Sequence, residues 1–126
     1  MPKQVPDVPS GVNPIGPYST VTEAGGFVFI SGQVALDPDT NEPIEGDVKA
    51  QAGRVMENLS RILSDLGLQF DDIVKTTIFL ADMADFPVVN EAYGGYFGSA
   101  PPARSTVEVS GLPKGFLVEI DAIAAR

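Results

Sequence analysis

Asp72-Ile73-Val74-Lys75-Thr76-Thr77-Ile78-Phe79-Leu80 is a β-prone run with apolar residues on both alternating faces, which predicts a strand that is central in a sheet or covered twice. The residues before it follow a different period. From Asp47 to Leu66, Val48, Ala52, Val55, Leu59, Ile62 and Leu66 are spaced by fours and threes, with Met56 and Leu63 beside them. That stripe predicts an amphipathic helix lying on the sheet, with Asp47 as its N-cap and Gly67 as its stop. Gln51, Arg54, Glu57, Asn58, Arg61 and Asp65 fall mainly on the opposite, solvated face. After the strand comes a shorter helix. Asp85 is its expected cap, Phe86 and Pro87 fill the first turn, and Phe86, Val89, Tyr93, Tyr96 and Phe97 form its buried stripe. Asn90 sits one step round from that stripe, and Gly94-Gly95 should end the helix.

Further out, Tyr18 to Ala24, Gly25-Gly26 and Phe27 to Ser31 read as strand, turn and strand, a β-hairpin. Gly32 follows at once, where a missing Cβ permits a bulge or the close approach of a ligand or backbone. Gln33 to Leu36 can extend the sheet, and residues 1–12 form an extended, proline-rich lead-in. Arg104 to Ser110 and Phe116 to Ala124 are the last two strands, treated as an antiparallel pair joined by Gly111 to Gly115. Alternation puts Arg104, Thr106 and Glu108 on one face, and Glu119 and Asp121 opposite the apolar set Phe116, Val118, Ile120 and Ala122. One parity of pairing would bring Glu119 onto the face of Arg104; the other would not. The order β-β-(β)-α-β-α-β-β describes one α+β domain over residues 1–126, a mixed sheet with two helices packed on one face. The other face, with Lys75, Thr77, Phe79 and Ile123, is neither cleanly polar nor apolar, and self-association would cover it.

Composition removes whole classes of chemistry. The chain has no cysteine and no histidine, which excludes Ser-His-Asp and Cys-His machinery and the usual zinc sites. Any catalysis falls to carboxylates, hydroxyls, Arg, Lys, backbone groups or water. A net charge of −9 with scattered basic residues disfavours nucleic-acid binding. With no apolar run long enough to span a bilayer and no signal-peptide pattern, a soluble, cytoplasmic protein is expected. Among the charged residues Arg104 is singular: Pro101-Pro102 delivers it in a fixed direction to a strand, and its planar fork suits a small carboxylate. An ordinary salt bridge is the competing explanation.

The residues Asn13-Pro14-Ile15-Gly16-Pro17-Tyr18-Ser19, Ile30-Ser31-Gly32-Gln33, Asp72-Ile73-Val74-Lys75-Thr76-Thr77, Val89-Asn90, Pro102-Ala103-Arg104-Ser105-Thr106-Val107-Glu108-Val109 and Val118-Glu119-Ile120 occur in an order and spacing that resembles the RidA (YjgF/YER057c) family. This family of reactive intermediate deaminases also carries the name endoribonuclease L-PSP. The resemblance implies a chorismate-mutase-like fold, a homotrimer with sites between subunits, and hydrolysis of enamine and imine acids such as 2-aminoacrylate without metal or cofactor. It implies Arg104 as the carboxylate anchor and Glu119 as the group that handles water or the leaving amine. Tyr18, Ser31, Gly32 and Asn90 would line the cleft, and the backbone of Thr106 would help place the water. Many relatives carry cysteine where this chain has Thr106. The segment from Phe97 to Arg104 is also shorter than in relatives, which bears on substrate size. A non-catalytic trimeric small-carboxylate-binding or regulatory protein is the alternative reading, with an endoribonuclease further behind.

Overall fold

The computed structural model describes residues 2–126, and the expected elements form in the expected order, except that Val34 to Leu36 do not extend the sheet and keep only an isolated bridge from Leu36 to Pro43. β1 (Val21–Ala24) and β2 (Phe27–Gln33) make the hairpin, turned by Gly25 and Gly26 with φ of 59° and 83°. The Asp47 carboxylate accepts from the backbone N–H of Ala50 at 3.0 Å and opens α1 (Val48–Asp65). Gly67, at φ 72°, closes it, with the N–H of Leu68 reaching back to the Leu63 carbonyl at 2.8 Å. Met1 of the lead-in lies outside the described residues; beyond it, Gln4 pairs with Glu23 and Ser10 binds the Asp65 carboxylate.

Two local expectations are corrected. Asn58 is buried rather than solvated: its amide donates to the carbonyls of Val34 and Leu36 at 3.2 and 2.9 Å, so it holds the irregular segment after β2 against α1. Asp85 does not cap α2 (Phe86–Gly94). A 3₁₀ turn over Met83–Asp85 begins earlier, capped by Asp82 through the N–H of Ala84 at 2.9 Å, which leaves Asp85 already helical rather than extended.

The larger correction is topological. β3 (Ile73–Leu80), β4 (Ala103–Glu108) and β5 (Val118–Ala125) complete a five-stranded mixed sheet in the order β1-β2-β5-β3-β4. β4 runs parallel to β3 through the α2 crossover, and β5 inserts between β2 and β3, so β4 and β5 never pair. Ile78 lies opposite both Thr106 and Ile120, and Phe79 opposite both Val107 and Glu119. Paired residues share a face, so Arg104 and Thr106 point to the helix side and Glu119 and Asp121 to the open side. The helix side carries the core, including Val28, Ile30, Met56, Leu59, Ile78 and Ile120. The open side leaves Phe27, Phe29 and Val107 at 40–47% exposure.

Candidate functional site

Arg104 emerges from Pro101-Pro102 onto the helix face of the edge strand β4, opposite Thr76. Its guanidinium lies 5.1 Å from the Tyr93 ring centroid and 5.5 Å from that of Phe86. Nη1 donates to Asn90 Oδ1 at 2.7 Å. The Tyr93 hydroxyl is fixed in turn by a buried 2.7 Å hydrogen bond with that of Thr76, and burial holds its pKa above the usual 10.0. Among the described residues, Arg126 with Glu23 is the one ion pair within 4.0 Å. Arg104 therefore has no carboxylate partner within its own chain. Phe86 and Tyr93 are read from sequence as core alone. The signal for more was the four-three spacing Phe86, Asn90, Tyr93, one helical stripe ending under the arginine.

The second cluster lies on the other face. Ile30 pairs with Ala122 and Gln33 with Ile120, so Ser31 and Gly32 together oppose Asp121 in a β-bulge. The Ser31 hydroxyl donates to the carbonyl of Ser19 at 2.7 Å and ties down the loop that carries the exposed Tyr18. Tyr18 and Gly32 line one small cavity. Ser31 borders an adjoining groove of about 370 Å³ with Phe29, Lys75, Thr77 and Asp121. The Glu119 carboxyl crosses over Gly32. Its pKa is raised above the usual 4.5, chiefly by burial and further by the neighbouring negative charge of Asp121. A carboxyl tuned upward can release and recapture a proton nearer neutrality.

Within one chain, then, Arg104 gathers with Asn90 and Glu119 with Gly32. Ser31 shares the bulge with Gly32 and Tyr18 a cavity with it, and Arg104 and Glu119 lie on opposite faces of the sheet. Thr106 belongs to neither group as a side chain: its hydroxyl is buried and has no hydrogen-bond partner. A buried, unpaired hydroxyl costs about 1–3 kcal/mol of desolvation. Thr106→Val, nearly equal in shape, should therefore raise Tm by about 3–5 °C for each kcal/mol recovered, in a melt followed by circular dichroism. A fall of that size would mean that the hydroxyl has a partner in solution.

Residues 9–126 match the family model described as Endoribonuclease L-PSP. Protein DfrA of Myxococcus xanthus is 59% identical over 112 residues, 87% of this chain and 86% of that protein. A mouse protein named 2-iminobutanoate/2-iminopropanoate deaminase is 46% identical over 89% of this chain and 83% of its own. Among solved structures, YyfA of the conserved Rid family from Yersinia pestis superposes with a TM-score of 0.94 at 43% identity, covering 99% of this chain and 100% of that one. TdcF of E. coli, solved with bound serine, superposes at 0.91 with 39% identity and 98% coverage of both chains.

Proposed function

The chain belongs to the Endoribonuclease L-PSP family, which includes the Rid proteins, and from that premise we propose that it hydrolyses small enamine and imine acids such as 2-aminoacrylate to the 2-oxo acid and ammonia. One observation carries this reading: Arg104 is stacked, oriented by Asn90 and without an acid partner in its own chain, as suits a receptor for a substrate carboxylate. The serine bound to TdcF is a small amino acid of the same chemical type.

In the proposed reaction Arg104 holds the carboxylate and so fixes the imine carbon. 2-Aminoacrylate takes up a proton at its methylene carbon and loses one from nitrogen to become 2-iminopropanoate. Water then adds to C2 while Glu119 takes one of its protons and passes it to nitrogen, giving the carbinolamine. As the C–N bond breaks, the C2 hydroxyl gives up its proton, again through Glu119, to the departing nitrogen, leaving pyruvate and ammonia. Imines hydrolyse readily in water, so position and modest polarisation suffice, in keeping with a chain without histidine or cysteine. Tyr18, Ser31 and Gly32 wall the cleft beside Glu119, and the backbone of Thr106 helps to seat the water.

Because Arg104 and Glu119 face opposite ways, one chain cannot bring both to one substrate. We therefore assign the site to the contact between copies in a homotrimer, one copy supplying Arg104 and Asn90 and the next Glu119 with its loop. Burial of the exposed Phe27, Phe29 and Val107 gives a reason for such contact. Coupling the purified protein to a serine dehydratase and following imine absorbance tests the activity. Decay should accelerate in proportion to added protein. Tight binding of 2-oxo acids with no acceleration over buffer would instead mark a carboxylate-binding module.

A further inference from the structure

We infer that Gly32 is a positioning residue for Glu119, present because the β2 bulge is the floor on which the Glu119 side chain lies. The inference rests on Glu119 being the acid–base group of the proposed reaction. A Cβ built on Gly32 would stand 2.7 Å from Glu119 Cδ and 3.0 Å from Cγ, with Oε2 nearer still. Real Cβ atoms do not approach carbon so closely, so the two side chains exclude each other. The need is for space and not for backbone freedom, since Gly32 is not among the glycines at positive φ.

The geometry follows from the register. Ser31 and Gly32 share one position opposite Asp121, and Glu119 stands two residues before Asp121 on the same face. The bulge thus tilts the Gly32 backbone toward the carboxyl on the adjacent strand, and a bare Cα lets that carboxyl settle against it. The same contact excludes water from one side of the carboxyl, consistent with burial as the first cause of its raised pKa. A methyl at position 32 would meet the flexible end of a side chain, so the carboxyl would move and the fold would not.

The test is Gly32→Ala alone and combined with Glu119→Gln, assayed on 2-aminoacrylate, with Tm as a control. Expected are a kcat at least about tenfold lower, KM within about twofold, and Tm nearly unchanged. The acid limb of the kcat profile should move to lower pH, because a displaced carboxyl regains solvent. A ¹³C titration of the Glu119 carboxyl in the resting protein should show the same downward movement without any assay of turnover. In the double variant, Gly32→Ala should cost nothing beyond Glu119→Gln. Adding Glu119→Asp, one methylene shorter, to Gly32→Ala should cost less than Glu119→Asp does alone. An unchanged kcat and an unmoved carboxyl titration in Gly32→Ala, or an equal loss with and without Glu119→Gln, would overturn the inference alone. Full activity of Glu119→Gln would overturn the role of Glu119, and this inference with it.

Discussion

Arg104→Ala is expected to lower kcat/KM for 2-aminoacrylate about 10²–10³-fold and leave the fold intact. Removing one partner of a desolvated, hydrogen-bonded charge pair costs on the order of 2–5 kcal/mol, and about 1.4 kcal/mol is a factor of ten. Arg104 is exposed on an edge strand, so truncation empties an anchor and opens no core cavity. Arg104→Lys keeps the charge but loses the two-pronged grip and the fit over Phe86 and Tyr93, and its rate should fall between the two. The coupled dehydratase assay measures both variants. An alanine variant as fast as the parent would end the assignment of Arg104.

Glu119→Gln should lower kcat about 10²–10⁴-fold, the usual range for a general acid–base group, with a much smaller change in KM. It should also make the protein more stable at neutral pH. Burial and the charge of Asp121 raise the pKa of Glu119 in the folded chain, so the fold favours its protonated form. That contribution is fully present below the unfolded value near 4.5 and is lost as pH rises through the higher folded value. Glutamine imitates the protonated carboxyl at every pH. The Tm of the variant should match the parent at about pH 4 and exceed it at about pH 7. Paired melts at the two pH values decide the matter, and a gap of equal size at both would contradict the assigned cause.

Legibility in the sequence followed range. The hairpin around Gly25-Gly26, the stripe of α1 with its Asp47 cap and Gly67 stop, and β3 were readable because each is set by neighbours a few residues apart. The end of α2 at Gly94 was readable for the same reason. The pairing of β5 was not. Whether it lies beside β4 or inserts between β2 and β3 depends on contacts across much of the chain, which leave no periodic trace in either strand. With that order went the face of Glu119. Asn58 looked solvated by its place on the helical wheel, and its burial is explained by carbonyls of a segment more than twenty residues away. Residue identity and its proline lead-in singled out Arg104, Asn90 became a candidate only through the family resemblance, and the place of Phe86 and Tyr93 beneath the guanidinium needed the fold.

The placement of Arg104 and Glu119 on opposite faces of one sheet makes a defect in either residue complementable. In the proposed trimer each cleft draws its arginine from one copy and its glutamate from the next. A chain carrying Arg104→Ala still offers an intact glutamate, and a chain carrying Glu119→Gln still offers an intact arginine. Unfolded together in equal amounts and refolded into mixed assemblies, two inactive proteins should regain about a quarter of the parental activity, the fraction of clefts that random assembly leaves whole. Either protein refolded alone should regain none.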